Sequence, residues 1–144
     1  VRGSERFFVL GLLPNIGELL VAVQAPDLAI QCSQFDEKIS PWKRQQQVLG
    51  CDYASCSAEL MQVWRLPSQL YIPVMHIHNE NKALSDKEVG IIYCAVRASV
   101  AMATDGIYTV NQLIPPLVLS PAARTSKICV LIAKIRFYPN KIGI

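Results

Sequence analysis

The chain has 144 residues, 51% of them hydrophobic and 17% charged, with a formal net charge of +3. That is the size of one ordinary domain, and a charged share below the roughly 25% of an average protein excludes a disordered chain. Five cysteines, an odd number at irregular spacing, exclude a disulfide-stapled secreted scaffold and suggest a reduced, intracellular setting.

Residues 6–13 form an apolar run that reads as strand or helix. Arg2 before it and Arg6 at its start resemble the basic region of a signal peptide, but Glu5 and the missing small-residue cleavage pattern argue against one. No spanning helix is expected, because the longest uncharged window, residues 106–123, holds Asn111, Gln112, Pro115 and Pro116. Asn15 followed by Glu18 predicts a helix that carries Leu19, Leu20 and Val23 and ends before Pro26. Residues 27–32 read as a short strand, with a second helical turn as the alternative.

Ser40, Pro41 and a trailing Gly50 bracket a helix over Pro41–Leu49. Ser55 or Ser57 can cap another, running through Glu59, Leu60 and Val63 to Arg65. Residues 69–78 are rich in β-formers, and Pro73 demotes them to an edge or bulged strand. After a turn at 79–83, Ser85 and Glu88 read as a capping box. It leads into the helical stripe Val89, Ile92, Val96 and Val100, which stops at Asp105 and Gly106.

Short strands are expected at 107–113 and 117–119. A longer one at 126–138 is apolar on both faces at its start, as a central strand would be, and turns polar at Lys134, Arg136 and Tyr138. The expected architecture is a single α+β domain over residues 1–144. A mixed sheet would be covered by three to four helices, with a three-layer α/β fold as the alternative.

Three features carry candidate chemistry. His76 and His78 are the only histidines, and on a strand they would share a face with Glu80. That is a two-nitrogen, one-oxygen set suited to one zinc or iron; without it no cofactor is expected. Cys51 and Cys56 add two thiols, and Cys51 at a helix start is a candidate nucleophile. Every carboxylate lies at or before Asp105. Residues 106–144 hold five cations, Arg124, Lys127, Lys134, Arg136 and Lys141. Lys134, Arg136 and Tyr138, with Lys127 and Arg124 nearby, thus suggest a face for an anionic ligand or nucleic acid. No Gly-rich phosphate loop and no nucleophile elbow occurs.

The leading functional expectation is a non-catalytic soluble domain that self-associates through apolar surface and presents that basic C-terminal sheet face to an anionic partner. The alternative is a small metal- or thiol-dependent hydrolytic enzyme centred on His76 and His78. A third reading is an artificial or rearranged sequence without a selected function.

Overall fold

The computed structural model describes residues 3–34, 36 and 38–103. Among them, eight α-helices follow one another: α1 (Gly3–Leu12), α2 (Ile16–Gln24), α3 (Pro26–Cys32), α4 (Pro41–Leu49), α5 (Tyr53–Val63), α6 (Ser68–Met75), α7 (Glu80–Ser85) and α8 (Lys87–Ala103), with a 3₁₀ turn at Leu13–Asn15. The α+β architecture is overturned for this region, and with it the α/β alternative. The β pairing among the described residues is an isolated antiparallel bridge between Asp36 and Ile39. Residues 27–32 take the helical alternative as part of α3, and the strand expected at 69–78 is helix through Met75 and turn beyond it. Those expected at 107–113, 117–119 and 126–138, and the stop at Asp105 and Gly106, lie outside the described residues.

The physical reason is clearest at α6. Leu70, Pro73, Val74 and Ile77 sit at i, i+3, i+4 and i+7, the spacing of one helical face. Pro73, Val74 and Ile77 are buried on it. This packing outweighs the β preference of Tyr71, Ile72 and Val74, a modest term that tertiary context routinely overrides. Pro73 deprives the Gln69 carbonyl of the amide that would bond it in a regular helix. The Arg6 side chain replaces that amide, its Nη2 donating to Gln69 O at 2.8 Å. At α3, Pro26 stands at the first helical position, where its missing N–H costs nothing.

The chain divides into two compact units, Val1–Tyr93 and Cys94–Ile144. In the first, α5 is the hub, packed against α6, α2 and the 3₁₀ turn. Its buried face is Ala54, Ser57, Ala58 and Met61, again at i, i+3, i+4 and i+7. Three of these four residues are small, so a neighbouring backbone can come close. Leu10, Cys32, Val74, Ile77, Ala83, Val89, Ile92 and Tyr93 are buried elsewhere in this unit. In the second unit, the described end of α8 buries Arg97, and Ser99 Oγ donates to Ala95 O at 3.0 Å.

Two helices end on left-handed residues. Gly50, at φ +80°, closes α4, its N–H donating to Gln46 O at 2.9 Å. After α5, Arg65 takes φ +57°. There Leu66 N–H donates to Met61 O at 3.0 Å and Arg65 N–H to Gln62 O at 2.9 Å. That pair of bonds is a Schellman stop, with an arginine where glycine is usual.

Candidate functional site

Three arrangements in the first unit bear on function, and the first is a close contact between α2 and α5. The expected cap, Asn15, makes no side-chain capping bond. Ser57 on α5 does this work from a distance: its Oγ accepts from Gly17 N–H at 2.7 Å. The same hydroxyl lies 2.8 Å from Pro14 O and 3.0 Å from Tyr53 O, with one proton to share between them. A Cβ on Gly17 would collide with the Tyr53 carbonyl oxygen and stand 2.8 Å from Ser57 Oγ. Gly17 is therefore set by proximity, and α2 is pinned at its first turn.

Once pinned there, α2 leaves its other side in solvent, which gives the second arrangement. Phe8 is 69% exposed, Leu19 66% and Val23 75%, and Leu12 is exposed as well. Positions 8, 12, 15, 19 and 22 are all exposed and follow the four-three spacing of a helix seam. The 3₁₀ turn between the two helices overwinds that path by about 60°, so the stripe broadens but keeps to one side. Glu5–Gln24 is also long and apolar enough to cross a membrane by length and composition, a test that core helices and signal sequences pass too.

The third arrangement is the α4–α5 junction. Asp52, buried, caps α5 by accepting from Ser55 N–H at 2.8 Å and Ser55 Oγ at 3.0 Å. Gln46 Nε2 donates to its second oxygen at 3.2 Å, and Tyr53 N–H donates to Gln45 Oε1 at 2.9 Å. Cys51 and Cys56 flank this cap, half-buried, with their sulfurs 3.2 Å apart. Burial, and then the hydrogen bond with Cys51, pushes the Cys56 thiol up to about 12. Tyr53 is raised beyond the ordinary phenol range, chiefly by burial and then by its hydrogen bond with Cys32.

The strand that was to align His76, His78 and Glu80 does not exist. His76 caps the end of α6, His78 lies in the turn after it and Glu80 opens α7. The His78 ring stacks on Trp42 of α4, centroids 4.9 Å apart and planes within 15°. Among the described residues, no group of three or more His, Cys, Asp and Glu side chains comes together as a metal site would. The hydrogen-bond neighbour of Cys51 is a second thiol. Arg124, Lys127, Lys134, Arg136 and Tyr138 lie outside the described residues. The Gly17–Ser57 contact went unseen in the sequence, although the small residues Ala54, Ser57 and Ala58 at helical spacing were a signal for close approach.

A family model for the HDOD domain matches residues 1–80. No curated protein matches the chain, and no solved structure does.

Proposed function

The chain belongs to the HDOD domain family, and from that premise we propose that it is a helical docking domain that self-associates through the exposed stripe of α1 and α2. The family, which is all-helical, accounts for the scaffold. The reading itself rests on one observation: Phe8, Leu12 and Leu19 stand in solvent at seam spacing, where a second copy of the same helix can bury them. Scattered exposed leucines need no explanation, but an aligned set of large apolar side chains marks an interaction surface.

The stripe is held ready for this by Ser57, which anchors α2 from behind. Phe8 and Leu19 are the natural anchors, because large side chains near the centre of a contact carry most of its energy. Sedimentation equilibrium of the chain is expected to show a mass that rises with concentration in the micromolar range, and Leu19→Glu is expected to abolish the rise while leaving the circular dichroism spectrum unchanged. A wild-type chain that stays monomeric throughout that range would overturn the reading.

A further inference from the structure

We propose that Cys51 and Cys56 form a peroxide-responsive modification site that closes to an intramolecular disulfide. This inference is independent of the self-association above. The two sulfurs lie 3.2 Å apart across the Asp52 cap, and a disulfide needs about 2.05 Å, so closure asks for a movement of roughly 1 Å. Both residues are half-buried rather than sealed, which leaves a path for a small oxidant. The junction is held from several sides. Gly50 turns the chain with a left-handed backbone, Asp52 ties Ser55 and Gln46, and Gln45 holds the Tyr53 amide. Cys51 precedes this rigid cap, while Cys56 stands in the second turn of α5.

The division of labour follows from the environment. Cys56 keeps its proton, raised by burial and by Cys51, and so serves as the resolving thiol. Cys51, outside the helix and next to its N-terminal cap, is the attacking sulfur. Its sulfur takes one oxygen from hydrogen peroxide: an S–O bond forms, the O–O bond breaks and hydroxide leaves with the Cys51 proton as water. The Cys56 sulfur then attacks the resulting sulfenic acid. An S–S bond forms, the S–O bond breaks and hydroxide leaves with the Cys56 proton as water. Two thiols are oxidised, one peroxide is reduced, and two waters are the balance.

The test uses the full chain. It is treated with hydrogen peroxide, alkylated under denaturing conditions and digested with trypsin. Residues 45–65 leave as one peptide that carries Cys51 and Cys56 and no other cysteine. This peptide is expected to lose two hydrogens and to escape alkylation at both positions, and closure is expected to slow by about tenfold or more when the protein is first unfolded in urea, as the held proximity is lost. In Cys56→Ser, dimedone is expected to label Cys51. Free alkylation of both thiols after peroxide, equal rates in folded and unfolded protein, or dimedone labelling of Cys56 rather than Cys51 across the two single serine variants would each overturn the proposal.

Discussion

Gly17 shows how much a single missing methyl group can decide. No turn or unusual backbone angle requires glycine there; the Tyr53 carbonyl and the Ser57 hydroxyl do, by occupying the space. Gly17→Ala is expected to destabilise the protein by about 1–3 kcal/mol, the usual cost of overpacking, despite the better helix propensity of alanine. Urea unfolding measures this, and a neutral result would mean that α2 can shift freely on α5. Cys56 makes a second prediction at this scale. Its folded value of about 12 lies above the ordinary 9.0, so the folded state holds the proton after the unfolded chain has lost it. Stability attributable to this thiol is therefore complete below pH 9 and declines as pH rises from there toward 12. The urea midpoint is expected to fall over that interval, and to fall less steeply in Cys56→Ser.

Among the elements, α6 separates what could be read in the sequence from what could not. The helix over Pro41–Leu49 was legible because its signals are local: proline at the first turn and glycine just past the last. At α6 the local signals conflict. An internal proline and β-branched neighbours suggest an edge strand, and the help that makes a helix tolerable comes from Arg6, 63 positions away in sequence. The same guanidinium pairs with Glu88 at 2.9 Å, so one side chain on α1 serves both α6 and the first turn of α8. A double-mutant cycle tests this. Arg6→Met is expected to cost about 0.5–1.5 kcal/mol, the net worth of one hydrogen bond, because the exposed Gln69 carbonyl can turn to water. Pro73→Ala, which restores the missing amide, is expected to stabilise the Arg6→Met protein more than the wild type, with a coupling of about 0.5–3 kcal/mol. Equal effects in both backgrounds would show that Arg6 does not stand in for that amide. The site was legible only in part. The Cys51–Cys56 spacing is visible in the chain, but their nearness depends on how Asp52 folds the junction.

For the molecule as a whole, the composition pointed to apolar surface, and the first unit exposes a good deal of it. Among the described residues, the error lay in assigning the apolar segments 27–32 and 69–78 to a sheet. Buried strands and buried helices are equally apolar, and short runs do not tell them apart; the three-to-four periodicity at residues 70–77 would have done so. One further outcome concerns the halt after α5. The backbone at Arg65 follows a path that any side chain resists, by about 1–2 kcal/mol, and that residue is exposed. Arg65→Gly is therefore expected to raise the melting temperature, by roughly 4–8 °C for a unit of this size, which calorimetry would register. Here deleting a cation would strengthen the molecule, so this corner is where an engineer would begin and where the native chain keeps a reserve of stability untapped.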